Sequence, residues 1–225
     1  KRGLNVNAWL KANGFLKLKE GVHESGEYFQ GVDWDKTKAY AFGLAGIYIN
    51  LKGREKKGIV EPGEEQKKLK EELIARLSGL KDPQTGNVAI TEMFDSQKIY
   101  KGPYVDNGPD LITGYNVGYR ISWHGATGVV NDQIFEDNVK AWSGDHCIDP
   151  RLVPGVIFSN KTITAANPAL IDIAPTVLDL FGISKPSYMQ GNTILDDQVE
   201  DTAVDLSTPI DDVKVKEQEV VTLDE

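Results

Sequence analysis

Val139-Lys140-Ala141-Trp142-Ser143-Gly144-Asp145-His146-Cys147-Ile148-Asp149-Pro150 sets a carboxylate, an imidazole and a thiol side by side, and the apolar run Val153-Pro154-Gly155-Val156-Ile157-Phe158 follows it. The first stretch holds Gly and ends on Pro, so it reads as a loop. The second is continuous rather than alternating, the pattern of a strand buried on both faces of a sheet, expected over 155–159. A polar cluster on a loop at the edge of such a strand is where α/β proteins usually keep their chemistry.

On the C-terminal side, Ile173-Ala174-Pro175-Thr176-Val177-Leu178-Asp179-Leu180-Phe181-Gly182 reads as a helix with Pro early and Gly at its close. On the N-terminal side the spacing predicts strands over 15–19, 38–43, 46–51, 88–94, 110–115 and 119–123. Asn5 is placed to cap a helix that Gly14 ends. A longer helix is expected over 64–80, where Leu69, Leu73, Leu77 and Leu80 share one stripe and the charged residues face water. Strands and helices interleaved in this way predict an α/β domain whose sheet is covered by helices.

With 225 residues and 40% hydrophobic side chains the chain can bury a sizeable core. Its net charge of −9 is unevenly placed, because residues 196–225 carry eleven acidic groups against two Lys while residues 1–195 balance. Residues 1–195 are therefore read as the domain and 196–225 as an acidic extension. A neutral body with an acidic tail argues against a nucleic-acid polymer as partner, which needs clustered Lys and Arg. No stretch approaches the roughly 20 apolar residues of a membrane-spanning helix. The single cysteine, Cys147, excludes an intrachain disulfide and a Cys-rich zinc site.

From local residues alone, His146 suits a metal ligand or a general base, although a loop His is more often a hydrogen-bonded structural residue. Asp145 and Asp149 read as turn residues, and Cys147 as a small packing residue. His124, after the strand at 119–123, is structural or adjacent to substrate, and His23 lies in a polar loop and is expected to be solvated. Gly-x-Gly-x-x-Gly and phosphate-loop patterns are absent.

Four blocks in order add to this reading: Gly46-Ile47-Tyr48-Ile49-Asn50-Leu51-Lys52-Gly53-Arg54-Glu55 through Val60; Pro109-Asp110-Leu111 with Gly114-Tyr115; Ser143-Gly144-Asp145-His146 through Val156; and Asp172-Ile173-Ala174-Pro175-Thr176 through Gly182. Together they resemble the C-terminal half of the type I phosphodiesterase and nucleotide pyrophosphatase branch of the alkaline phosphatase superfamily. The resemblance implies an alkaline phosphatase-like sheet covered by helices, present here in part, and a parent enzyme that hydrolyses a small phosphate ester or nucleotide with two divalent metal ions, usually zinc. His146 matches the family's late metal-ligating His, and Asp145 becomes its orienting neighbour. The family's Thr or Ser nucleophile and its Asp-His-Gly motif have no counterpart in this sequence, so the chain is expected to contribute one metal-ligand loop, to contain no catalytic nucleophile and to be inactive alone. Sulfatases and cofactor-independent phosphoglycerate mutases share the architecture and stay open as alternatives, as does a non-catalytic α/β binding module. Residues 20–38 and 95–142 are the expected substrate-facing loops.

Overall fold

Asn5 opens the first helix as the sequence predicts: its side-chain oxygen accepts the Ala8 N–H at 3.2 Å, and Gly14 takes the left-handed conformation just past the end. The computed structural model describes residues 1–195 apart from 143 and 145, so the acidic extension and Asp145 lie outside the described residues. Two compact units divide the chain, Lys1–Gly155 and Val156–Glu225.

The elements in chain order are β1 (Arg2–Leu4), α1 (Val6–Ala12), β2 (Ala39–Phe42), β3 (Gly46–Ile49), α2 (Glu64–Leu77), β4 (Ile90–Asp95), α3 (Ser96–Ile99), β5 (Leu111–Tyr115), β6 (Tyr119–Ile121), α4 (Trp123–Ala126), β7 (Phe135–Asp137) and α5 (Ile173–Leu180). The chain is thus mixed α/β, with two sheets in the first unit. In the smaller sheet β1 lies between β6, which it pairs in parallel, and β7, which it pairs antiparallel. The larger sheet is antiparallel throughout, in the order β2-β3-β5-β4.

Alternation along the larger sheet explains its packing. Ala39 and Ala41 on β2 and Ile47 and Ile49 on β3 are buried, with α1 against β2 and α2 against β4. Leu69, Leu73 and Leu77 of α2 are buried as the stripe predicts. The helix stops three residues early, at Leu77, because Gly79 turns left-handed and its N–H donates to the Ile90 carbonyl. Lys70 departs from the expectation of a solvated charged face: it is buried, with Nζ 2.8 Å from Asp95 Oδ1 and 3.0 Å from Gln97 Oε1.

β4 carries a register shift between Ile90 and Glu92, opposite Gly114 of β5. A Cβ at Gly114 would lie 2.8 Å from the Phe94 ring and 2.9 Å from the Glu92 carbonyl oxygen. Gly114→Ala is therefore expected to destabilise the protein by about 1–3 kcal/mol through overpacking, read as a lower urea midpoint at unchanged slope. An unchanged midpoint would mean that the bulge absorbs the methyl group.

Two strand expectations fail. Over 15–19 only Leu18 makes a bridge, to Val32, because the Lys17 N–H is taken by the Thr37 hydroxyl and the Phe15 carbonyl by the Lys38 N–H. The run at 155–159 forms no strand, and Val156 and Phe158 are 85% and 92% exposed. Its composition reports a preference for burial, but the described residues of the second unit supply no ladder to receive it. That unit contains α5, a 3₁₀ turn at Leu170–Asp172 and a bridge between Ile163 and Leu195. No described helix is long and apolar enough to cross a membrane.

Candidate functional site

β1 and β6 run in parallel, and the chain leaves both through a capping residue, Asn5 into α1 and Ser122 into α4, where the Ser122 hydroxyl accepts the Gly125 N–H at 2.9 Å. The carboxyl ends of parallel strands are where open α/β sheets place ligands. A cleft of about 340 Å³ lies there, lined in part by Glu27, Arg120, Trp123, His124, Glu136 and Lys140. Gly3 of β1 also lines it, and a Cβ at that position would come within 3.2 Å of Glu136 Cγ and of the Ser122 backbone.

Inside the cleft His124 Nδ1 is 3.4 Å from Glu136 Oε2, and the His124 side chain is 55% exposed. A carboxylate beside one ring nitrogen orients the ring. The Arg120 guanidinium stands 4.3 Å from the centroid of the Trp123 ring, and the Lys140 ammonium 5.1 Å from it. The indole N–H of Trp123 donates to Asn138 Oδ1 at 3.3 Å.

The same residues hold one end of the loop that carries His146. Asn138 Nδ2 donates to the Trp142 carbonyl at 2.7 Å, and Arg120 donates to that oxygen at 3.3 Å. The other end is held by Asp149. Its backbone N–H donates to the Tyr115 carbonyl at 3.0 Å at the end of β5, and its buried carboxylate accepts Thr91 Oγ1 of β4 at 2.5 Å and Arg151 at 2.9 and 2.6 Å. Arg151 also reaches Glu92 of β4 at 2.8 Å. The loop thus runs from the smaller sheet to the larger one with a polar anchor on each. Hydrogen bonds from Arg151 hold the Asp149 carboxyl well below the usual carboxylate range, against the opposing effect of burial.

Between the anchors His146 is exposed and Cys147, the single cysteine, is half-buried. Asp145, the expected neighbour of His146, lies outside the described residues. His23 is exposed in its loop, where its carbonyl accepts Lys11 Nζ at 2.8 Å, in keeping with a solvated position. Among the described residues no group of three or more His, Cys, Asp and Glu is placed to hold a metal ion.

Sequence reasoning located the loop but not its anchoring. Asp149 passed for a simple turn residue, and the signal that could have found it is Asp-Pro-Arg, an acceptor two residues before a guanidinium. Glu136 and Asn138 gave no local signal, since they reach the cleft through the pairing of β7 with β1. Comparison with protein-family models, curated proteins and solved structures gives no match to this chain.

Proposed function

We propose that this chain is the C-terminal part of a metal-dependent phosphoric ester hydrolase with an alkaline phosphatase-like fold, of the phosphodiesterase and nucleotide pyrophosphatase type, acting on a small phosphate ester or nucleotide. Its contribution is one metal-ligand loop, with His146 as the ligand, toward a site of two divalent ions, usually zinc. The observation that carries this reading is that the chain is anchored at Trp142 and again at Asp149, on different sheets, with the exposed His146 between them. Anchors on either side suit a metal arm, because a ligand on a short tethered stretch gives up less entropy on coordination than one on a free chain. Support also comes from the apolar surface of the second unit, where Val156, Phe158, Leu170 and Phe181 are 77–92% exposed. Surface of that kind marks a face that another element covers.

A catalytic zinc takes three protein ligands, and one imidazole does not hold it tightly. The purified chain is therefore expected to show no turnover of a chromogenic phosphodiester with added zinc, and measurable turnover would sink the partial-site reading. In the longer polypeptide that this reading requires, His146→Ala lowers kcat/KM by more than about 100-fold while leaving the fold intact by circular dichroism. A loss under threefold would remove His146 from the site.

A further inference from the structure

Phe29 takes a left-handed φ of 62°, a conformation that L-residues seldom adopt and that persists only where the surroundings hold it. Its ring is what is held. Phe29 meets Trp34 and Tyr40 at centroid distances of 5.4 and 5.3 Å, those two meet each other at 5.2 Å, and every pair has its planes 66–87° apart. A Cβ at Gly128 would come within 2.8 Å of the Phe29 ring, so a glycine there makes its room. The three rings pack on the core, yet each stays partly exposed. With Asn50, Glu55, Lys56 and Lys57 they line a cavity of about 360 Å³, which shares no lining residue with the cleft at β1 and β6. That volume is near the lower end for small-molecule pockets, which run from about 300 to 1,000 Å³. The walls are fixed in place. Asn50 is buried, and its Nδ2 lies 2.9, 2.8 and 2.9 Å from the carbonyls of Trp34, Thr37 and Lys57, so one amide ties two of the turns that form the cavity. Tyr40 is backed by Tyr48, stacked on it at 5.3 Å and 13°.

Partly exposed rings attract either a cation or another aromatic group, and the charges around the cavity separate the two. Glu55 is the lining carboxylate, and it is already engaged: Oε1 accepts Arg54 Nε at 2.8 Å and the Tyr40 hydroxyl at 3.4 Å, and Oε2 accepts the Leu51 N–H at 2.7 Å. Lys57 pairs with Asp35 at 3.0 Å. Lys56 is exposed, lines the same cavity and pairs with no carboxylate among the described residues. A ligand cation would meet two ammonium groups and a carboxylate that Arg54 neutralises. An aromatic ring can stack on these walls or set its edge against them, and an acidic substituent on that ring would find the Lys56 ammonium.

We propose that this cavity binds a small aromatic anion, an aryl carboxylate or aryl phosphate, with its ring among Phe29, Trp34 and Tyr40 and its acidic group toward Lys56. Binding here stands on the cavity alone and is independent of the hydrolase reading above.

The test is ¹H–¹⁵N NMR on the full 225-residue chain, with the Trp34 indole signal assigned by its loss in Trp34→Phe. The ligands are phenylacetate, phenyl phosphate, benzyl alcohol, acetate, inorganic phosphate and tetramethylammonium. At least one of the two aryl anions is expected to shift the Trp34 indole saturably, with benzyl alcohol binding about threefold or more weakly and the other three leaving the signal in place. Lys56→Gln changes an exposed side chain, so the fold is kept; it weakens the aryl anion about threefold and leaves benzyl alcohol unchanged. A variant that merely disturbed the cavity would weaken both. The proposal is overturned if neither aryl anion shifts the signal, if benzyl alcohol binds as tightly as they do, or if Lys56→Gln weakens the anion no more than the alcohol. It is overturned equally if acetate or inorganic phosphate shifts the signal as strongly, or if tetramethylammonium shifts it, which would make the three rings a cation cage. Turnover by the isolated chain, or an indifferent His146→Ala, strikes the hydrolase reading and leaves this cavity as it stands.

Discussion

Asp110→Ala is expected to destabilise the first unit by roughly 3–5 kcal/mol, the range for removing one partner from a buried ionic network. The Asp110 side chain is 4% exposed and accepts the Ile49 N–H of β3 at 2.7 Å, Arg54 at 2.6 Å and Gln66 of α2 at 3.0 Å. Truncation leaves a strand N–H without its acceptor and removes one carboxylate from a guanidinium that burial already disfavours as a charge. Asp110→Asn keeps an acceptor for Ile49 and loses the charge on Arg54, so its cost falls between alanine and wild type. Urea unfolding followed by far-ultraviolet circular dichroism reads the difference. A loss under about 1 kcal/mol for alanine would show that water substitutes for all three bonds.

Asp149→Ala is expected to cost roughly 2–3 kcal/mol and to loosen the loop between Trp142 and Asp149, because the Thr91 hydroxyl and the Arg151 guanidinium lose their shared acceptor. It also changes the acid response. The folded carboxyl titrates well below its unfolded value of about 4. Its contribution is therefore complete above about pH 4 and is lost as pH falls through the folded value. Asp82 acts in the same direction: burial raises its pKa, but the hydrogen bonds from Arg2, the Gln84 N–H and Tyr119 leave it lowered. Wild type thus loses stability below pH 4 more steeply than Asp149→Ala, and the two curves converge in acid. Parallel curves between pH 2 and pH 6 would mean that Asp149 is solvated when folded.

Legibility followed the range of the interactions. The Asn5 cap, the leucine stripe of α2 and the strands β2 and β3 are local, and the sequence reading found them within a few residues. β1 and β7, three residues each, carry no periodicity to detect, because their identity as strands comes from partners far along the chain. The continuous apolar run near Phe158 states what those residues prefer, not whether a partner stands beside them, and it was misread as a strand for that reason. The candidate site divides in the same way. His146 stood out by residue type within its loop, whereas the pairing of His124 with Glu136 depends on the register of β7 against β1.

The central place of β1 in its sheet also bears on how the protein is made. Residues 2–4 leave the ribosome well before residues 119–121 and 135–137, with which they pair. During synthesis the smaller sheet has to wait for nearly the whole first unit, while the β2–β3 hairpin and α2 close on short loops. High contact order of this kind slows folding. The emerging chain therefore carries β1 unpaired until its partners have been made, and a nascent-chain arrest before residue 119 would leave β1 open to chaperones.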